Sequence, residues 1–356
     1  MSIVSDSPFV TVSALNNFVT SRVQRAKNLL RKLFFLSISL FYGWIVSLII
    51  FVQVLRYRSS FFLVKKREKV PKCLTDETLG KHEFISLKDI RLHYVANGNP
   101  ENPMMILLHG FPEFWFSWRH QLKAFSDDYY VVAVDLRGYG DSEKPAGKQN
   151  YTTSKICADI EQFITALGRK KVVVVGHDWG GAIAWRFASS YPEMVLKLII
   201  LNAPHPTNFS EVLLSDLKQF LMSWYMFFFQ LPLLPELLFI SRDFNLLTSL
   251  FSQIATDEEI EAYKYSFSKP GAITCPINYY RANIGSSNFS NKKCIIESPT
   301  LVIWGENDTA LSLQLASGAA KYVNNSFTVR MIENGSHFIQ IHKPEIVNKH
   351  MRDFLN

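Results

Sequence analysis

Short apolar runs of strand length recur along the chain after residue 90, separated by glycine, proline and aspartate. Several runs are β-branched and uninterrupted, which is typical of strands covered on both faces. Helix-like stretches lie between them, including Ser154–Leu167 and Ala182–Ser190. This alternation predicts an α/β fold, a mostly parallel sheet with helices on both faces. The predicted strands are Arg91–Ala96, Met104–Leu108, Tyr130–Val134, Lys171–Val175, Leu198–Leu201, Thr300–Trp304 and Phe327–Ile332.

One long segment, residues 206–296, breaks this rhythm because it is helix-like and rich in aromatic residues. Thr256 and Glu259 have the spacing of a capping box at the start of a helix. A helical insert between two strands suits a lid over a site, and a purely structural helical subdomain is the alternative. The predicted core therefore has two parts, residues 82–205 and 297–356.

The N-terminal region contains the apolar run Leu33–Leu55, which has no charged residue. At helical rise it is long enough to cross a hydrocarbon layer about 30 Å thick. A cleaved signal peptide, the alternative, has a shorter apolar core. We therefore expect an N-terminal segment (1–32), a single-pass transmembrane anchor (33–55) in the endoplasmic reticulum and a linker (56–81). Basic residues flank both ends of the run, so they do not fix its orientation.

The charge of the chain is concentrated around this run. Lysine and arginine total 38 and aspartate and glutamate total 31, which gives a formal net charge of +7. Residues 1–70 hold eleven of the basic residues and two of the acidic ones, so the remainder is nearly neutral. This distribution excludes a nucleic-acid footprint and favours contact with a lipid membrane. The four scattered cysteines lack zinc-site spacing, and the sequence implies neither metal nor cofactor.

The most informative stretch runs from Val172 to Gly181 (VVVVGHDWGG) and leads into a helix. A buried strand, small residues, one reactive side chain and small residues again form the pattern of a nucleophile elbow. Here the reactive side chain is Asp178 rather than serine. The alternative interpretation is that Asp178 only caps the helix that begins there.

Three further motifs follow predicted strands. The loop His109–Pro112 (HGFP) can point the backbone N–H of Phe111 toward the elbow, where with the N–H of Trp179 it would form an oxyanion hole. Asp308 and His337 each follow a later strand. The order nucleophile, acid, histidine is the one this kind of triad requires. Since strand ends bind ligands in such sheets, we predict a catalytic triad there.

With these motifs together, the chain resembles the α/β-hydrolase superfamily, and more closely its epoxide hydrolase family, particularly membrane-anchored animal members. The resemblance covers residues 82–356 and includes HGFPEFWFSWRHQ, DLRGYGDS, GHDWGG and GAITCPINYYRAN. It implies that Asp178 is the nucleophile, His337 the general base and Asp308 its partner. It also implies that two lid tyrosines, matched here by Tyr225 and Tyr280, donate to the epoxide oxygen.

The chemistry of an aspartate nucleophile agrees with this resemblance. A carboxylate that attacks a saturated carbon forms an ordinary ester, so the electrophile is an epoxide or an alkyl halide. An epoxide needs an acid for its alkoxide, and the two tyrosines supply one. The aromatic lid favours a small apolar epoxide, by resemblance one of an unsaturated fatty acid, with xenobiotic epoxides as the alternative. A haloalkane dehalogenase-like hydrolase and a catalytically silent membrane-tethered scaffold are the other functions considered. The oligomeric state does not follow from the sequence.

Overall fold

A computed structural model describes the backbone of residues 12–284 and 294–356. Its sheet has the strand order β1-β2-β4-β3-β5-β6-β7-β8. β2 pairs antiparallel with β1 and β4, and all other neighbours are parallel. The strands are β1 (Lys81–Ser86), β2 (Arg91–Asn97), β3 (Met104–Leu108), β4 (Tyr130–Val134), β5 (Val172–His177), β6 (Val195–Leu201), β7 (Thr300–Gly305) and β8 (Phe327–Ile332).

All seven predicted strands are present, and the predicted fold class is confirmed. β3, β5 and β7 are buried along their whole length, as uninterrupted apolar runs require. β1 is the strand that the pattern missed. Five of its six residues are exposed and the other is half-buried. As an edge strand, it needs no apolar run to pair with β2.

Thirteen helices accompany the sheet in the described residues, and α5 to α10, between β6 and β7, are called the lid here. The predicted capping box opens α9, with Thr256 and Glu259 bonded reciprocally. Residues 285–293 of the predicted segment 206–296 lie outside the described part of the chain. The helices are α1 (Val12–Tyr57), α2 (Arg119–Ala124), α3 (Thr153–Ala166), α4 (Asp178–Ser190), α5 (Pro206–Val212), α6 (Leu217–Met222), α7 (Trp224–Phe228), α8 (Leu234–Phe251), α9 (Asp257–Phe267), α10 (Thr274–Asn283), α11 (Gln314–Ser317), α12 (Ile339–His342) and α13 (Pro344–Leu355).

The apolar N-terminal run lies within α1, which is longer than the sequence pattern predicts. By length and composition α1 is long and apolar enough to cross a membrane. A signal sequence meets the same two criteria. One face of α1 packs on the lid. The Phe35 and Phe227 ring centroids are 5.4 Å apart, and those of Tyr42 and Trp224 are 6.3 Å apart. The N-terminal helix is therefore in contact with the lid along part of its length.

Candidate active site

Asp178 lies at a sharp turn between β5 and α4. Its φ is +49°, a left-handed conformation that non-glycine residues seldom adopt and that clusters at functional sites. Glycines make room for this turn. A Cβ on Gly180 would lie 2.0 Å from the carbonyl oxygen of Leu108, and one on Gly110 would lie 2.5 Å from the Cβ of Asp178. The small residues of the motif are thus required by close backbone approach.

The two carboxylate oxygens of Asp178 have different neighbours. The backbone N–H of Phe111 donates to Oδ1 at 2.8 Å. Nε2 of His337 lies 3.5 Å from Oδ2, which places an imidazole beside the carboxylate without a short hydrogen bond. Trp179, whose N–H is the other predicted oxyanion donor, is the second residue of α4 and follows Asp178 directly. One oxygen is therefore held by the HGFP loop while the other faces the histidine.

The predicted acid and base meet behind the nucleophile. Nδ1 of His337 is 2.8 Å from Oδ2 of Asp308. The same oxygen accepts from the side-chain amide of Asn202 at 2.6 Å, and Oδ1 accepts the N–H groups of Ala310 and Leu311 at 2.8 and 2.9 Å. With its oxygens satisfied in this way, Asp308 fixes the orientation of the His337 ring.

These neighbours set the charge of the site. Burial opposes the charged form of His337, yet the carboxylates of Asp308 and Asp178 raise its pKa well above the ordinary value. Burial likewise opposes ionisation of Asp308, but His337, Asn202 and the N–H of Ala310 lower its pKa. The two neighbouring carboxyl groups therefore favour the protonated form of His337.

The raised pKa of His337 predicts a pH-dependent stability. A histidine in the unfolded chain titrates at about pH 6.5. The stabilisation of the folded protein by protonated His337 is therefore complete below that pH and is lost as the pH rises through the higher pKa of the folded state. Asp178→Asn removes one anion and should move this loss to lower pH. Melting temperatures of both proteins in detergent, compared from neutral to alkaline pH, check this. Identical profiles would contradict the proposed coupling.

Tyr225 of α7 and Tyr280 of α10 lie on the lid side of the cavity that contains Asp178. Both line a cavity of about 250 Å³ together with Asp178 and His337. Their ring centroids are 5.9 Å apart. Burial, and then the negative charge of Asp178, raise the pKa of each phenol well above its ordinary value. Both phenols are therefore protonated at neutral pH and are available as hydrogen-bond donors.

The rest of the cavity wall is mainly apolar and comes from both the core and the lid. This lining favours an apolar ligand, with the few polar groups gathered around Asp178. Tyr279, adjacent to Tyr280, points elsewhere, because its hydroxyl donates to the carbonyl of Arg137 at 2.7 Å. The apolar lining includes Phe111, Met222, Trp224, Phe229, Leu238, Leu246, Leu250 and Phe338.

A buried polar network that the sequence interpretation missed joins the elbow to the histidine loop. Nε2 of His177 is 2.8 Å from the carbonyl oxygen of His337, and its Nδ1 is 2.6 Å from Glu113. Glu113 also accepts from the N–H of Gly110 at 2.8 Å and from Gln340 at 2.6 Å. Burial opposes ionisation of Glu113, but the contact with His177 and the N–H of Gly110 lower the pKa of this carboxyl group. The network ties together the loops that carry Phe111, Asp178 and His337, the predicted oxyanion donor, nucleophile and base.

Comparison with known proteins gives consistent matches. The profile described as "alpha/beta hydrolase fold" matches residues 103–344. Epoxide hydrolase 4 of Homo sapiens is 46% identical over 301 residues, covering 81% of this chain and 83% of that protein. Epoxide hydrolase 1 of Caenorhabditis elegans is 43% identical over 320 residues, with 87% and 78% covered. A crystal structure of Bacillus megaterium epoxide hydrolase in complex with an inhibitor has a TM-score of 0.71 at 35% identity, covering 77% of this chain and all of that one.

Proposed function

We propose that this chain, which belongs to the epoxide hydrolase family of α/β hydrolases, converts apolar epoxides to vicinal diols through an ester on Asp178. The observation that carries this proposal is the environment of the Asp178 carboxylate. A backbone N–H holds one oxygen at 2.8 Å, and the triad histidine stands 3.5 Å from the other. Two protonated tyrosines share the cavity with it.

In the first step, a carboxylate oxygen of Asp178 attacks one epoxide carbon as the carbon–oxygen bond of the ring breaks. Oδ2 is the oxygen left free by the Phe111 N–H and is the better placed nucleophile. The epoxide oxygen leaves as a strongly basic alkoxide and takes a proton from the tyrosine pair. Tyr225 and Tyr280 suit this role because they lie within one cavity with the nucleophile and stay protonated.

The second step starts from a changed charge at the site. Once Asp178 is a neutral ester, one of the two anions that raise the pKa of His337 is gone. The pKa of His337 then falls, and its proton can pass through solvent to restore the tyrosine. The neutral imidazole is now a base for the attacking water, whereas the resting imidazolium was not. Ester formation itself therefore prepares the base.

Hydrolysis of the ester then needs charge stabilisation at the carbonyl of Asp178. Water loses a proton to Nε2 of His337 and attacks Cγ, and negative charge develops on Oδ1. The Phe111 N–H already points at this oxygen, and we assign the Trp179 N–H as the second donor. Collapse of the tetrahedral intermediate breaks the ester bond, and the departing diol oxygen takes the proton from His337. The carboxylic acid left on Asp178 then gives its proton to the neutral imidazole, which restores the starting state. Asp308 holds the imidazolium throughout.

A haloalkane dehalogenase also uses an aspartate nucleophile. The lid residues around Asp178 therefore have to distinguish epoxide opening from halide displacement. A halide leaves without a proton and is bound by weak donors such as an indole N–H. Trp179 could supply one, but the side chain of Phe111 has no donor. Two phenols above the nucleophile favour a leaving group that must be protonated. This feature makes the epoxide the preferred electrophile, and a complete triad argues against a silent scaffold.

The substrate is proposed to be an epoxide of an unsaturated fatty acid, with xenobiotic epoxides as the alternative. An apolar cavity and an apolar N-terminal helix in contact with the lid support this assignment. We further propose that the helix attaches the enzyme to a membrane. The endoplasmic reticulum location and the single crossing of the bilayer stay predictions from the sequence.

Removing the phenol hydroxyls should slow ring opening. Tyr225→Phe and Tyr280→Phe should each lower the rate of ester formation by about 10²-fold, the usual effect of losing one donor to a developing oxyanion. The double variant should lose more, and rapid-quench measurement of the ester separates this step from its hydrolysis. Tyr279→Phe is the matched control, since it removes a neighbouring hydroxyl that bonds Arg137 instead. Equal losses in all three single variants would contradict the roles given to Tyr225 and Tyr280.

A substrate panel tests the proposed reaction. We expect the membrane-bound protein to form diol from an epoxy fatty acid, and to release no halide from a matched chloroalkane. If only small aromatic epoxides gave diol, the proposed fatty-acid substrate would be wrong, but the proposed reaction, epoxide hydrolysis, would stand. Halide release without diol formation would replace the proposed function with the dehalogenase alternative.

A further inference from the structure

The N-terminal helix does not stand apart from the catalytic domain. Along its packed face Ser39, Val46 and Ile50 are buried. A Cβ on Gly43 would lie 2.3 Å from Leu231 of the lid, so the absence of a side chain allows close approach. At the other end of this face the guanidinium of Arg242 lies over the ring of Tyr57, at 3.9 Å. Contact with the lid thus continues almost to the end of the helix.

The segment after α1 is also fixed to the lid. Phe61 is completely buried. Arg67 donates to Asp243 at 2.8 Å and to Glu261 at 2.6 Å, and its own side chain is only 4% exposed. The chain that leaves the helix is therefore held by the buried ring of Phe61 and by a partly buried ion-pair cluster around Arg67. Such attachments favour one fixed arrangement of α1 on the lid.

The opposite face of α1 is apolar and exposed. Exposed residues recur there every three or four positions, the spacing of one stripe on a helix. Each is between 47% and 63% exposed, and none is charged. The stripe comprises Leu36, Leu40, Trp44, Leu48, Phe51 and Leu55.

The lid exposes apolar residues as well. Leu217 and Leu221, one turn apart on α6, are 72% and 54% exposed, and Trp224 at the start of α7 is 39% exposed. Trp224 contacts Tyr42 of α1 and also lines the catalytic cavity. We call the α1 stripe together with these three lid residues the docking face. Of these residues, Trp224 also forms part of the wall of the active site.

A lipid leaflet is the occupant that this face fits. Soluble monomers seldom expose apolar surface on this scale. Positive charge lies beside it. Lys32, directly before the apolar run of α1, and Lys148 line a cavity of about 460 Å³ that also borders the lid. Arg56 and Arg58 follow the stripe at its other end. Apolar surface bordered by basic residues favours a membrane that contains anionic phospholipid.

The lid residues beside α1 indicate how the helix is placed in the bilayer. From Phe35 to Tyr57 the helix rises about 33 Å, close to the full hydrocarbon thickness of about 30 Å. If it crossed the bilayer in this arrangement, the lid beside Gly43 would lie at mid-depth. There Arg281 bonds the carbonyl of Leu231 and pairs with Glu236 at 2.8 Å. Charged side chains at that depth are costly.

We infer that α1 lies along the lid in the plane of one leaflet, and that the docking face carries the protein on an anionic phospholipid membrane. The active-site wall at Trp224 then borders the leaflet, from which an apolar substrate can reach the cavity. This arrangement differs from the single crossing that the apolar run predicts. It is independent of which epoxide is hydrolysed, because it rests on packing outside the catalytic residues.

Membrane topology distinguishes a helix that lies in one leaflet from a helix that crosses the bilayer. The full chain, with different epitopes at its N- and C-termini, is placed in sealed microsomes and treated with protease from outside. A helix that lies in one leaflet leaves both epitopes on one side, so both are removed or both are protected. Removal of one epitope with protection of the other would establish a crossing and overturn the inference. Digestion after permeabilisation confirms that both epitopes are cleavable.

Spin labelling tests the lid part of the docking face. In a Cys73→Ser background, Leu217→Cys and Leu221→Cys are labelled and placed in phosphatidylcholine–phosphatidylserine vesicles. Leu196→Cys is the matched control, an exposed leucine at the amino end of β6. We expect labels 217 and 221 to be more accessible to oxygen than to a water-soluble nickel complex, and label 196 to show the reverse. Water-like accessibility at all three positions would overturn the inference.

Discussion

Asp178→Asn is expected to abolish diol formation, with a loss on the order of 10⁴-fold or more, because residues that act as one catalytic unit fail together. Asparagine has nearly the same shape and tolerates the left-handed backbone at this position. The Phe111 N–H can still donate to its amide oxygen. The expected loss therefore reports the missing negative charge rather than a collapsed elbow.

The measurement is diol production by the purified full chain in lipid vesicles, compared with Asp127→Asn. Asp127 is an exposed aspartate, and its substitution should leave the rate unchanged within about twofold. Circular dichroism and melting temperature establish that both variants are folded. Retention of a tenth or more of the activity in folded Asp178→Asn would exclude Asp178 as the nucleophile.

His337→Gln is expected to separate the two steps. The first step needs the carboxylate and the tyrosines but no base, so ester formation should continue at a reduced rate. The second step needs a base for water, so turnover should fall by about 10⁴-fold, as in other enzymes that lose a catalytic histidine. The protein should therefore consume about one equivalent of epoxide and then stop with the ester in place.

Intact-protein mass spectrometry shows this adduct directly, and digestion assigns it to the peptide that contains Asp178. His350→Gln on α13 is the matched control and should turn over without accumulating an adduct. A His337→Gln protein that is inactive and also unmodified by excess epoxide would contradict the two-step account. It would then require His337 for the attack on the epoxide itself.

Much of the site follows from local sequence because its key side chains come directly after apolar strands. A run such as VVVVGHDWGG contains both the strand and the turn that exposes Asp178. The motifs around Asp308 and His337 place those residues at the same edge of the sheet. The measured contacts, 2.8 Å between His337 and Asp308 among them, agree with that placement.

Features built from distant, weakly patterned residues were not predicted. β1 is mostly exposed and has no apolar run, so no periodicity marks it. Asn202, which bonds Asp308, follows β6 in the same way as the triad residues follow their strands, and this position was the available signal. Glu113 and His177 meet across 64 positions of sequence. No local pattern specifies such a contact.

The packing of α1 on the lid likewise depends on residues that are distant in sequence. The sequence shows an uncharged run, which is sufficient to predict an apolar helix. Which face is buried depends on partners such as Trp224 and Phe227, far along the chain. Membrane attachment is thus indicated by composition, while the orientation of the helix depends on tertiary contacts.

The central claim is that the second oxygen of the diol comes from Asp178, and one isotope experiment tests it directly. Enzyme in excess is mixed with an epoxy fatty acid in ¹⁸O-water for a single turnover, and both diol and digested protein are analysed by mass spectrometry. The account predicts an unlabelled diol, with ¹⁸O in the peptide that contains Asp178. Label that enters the diol in this first turnover and leaves that peptide unlabelled would mean direct attack by water, and would contradict the ester mechanism.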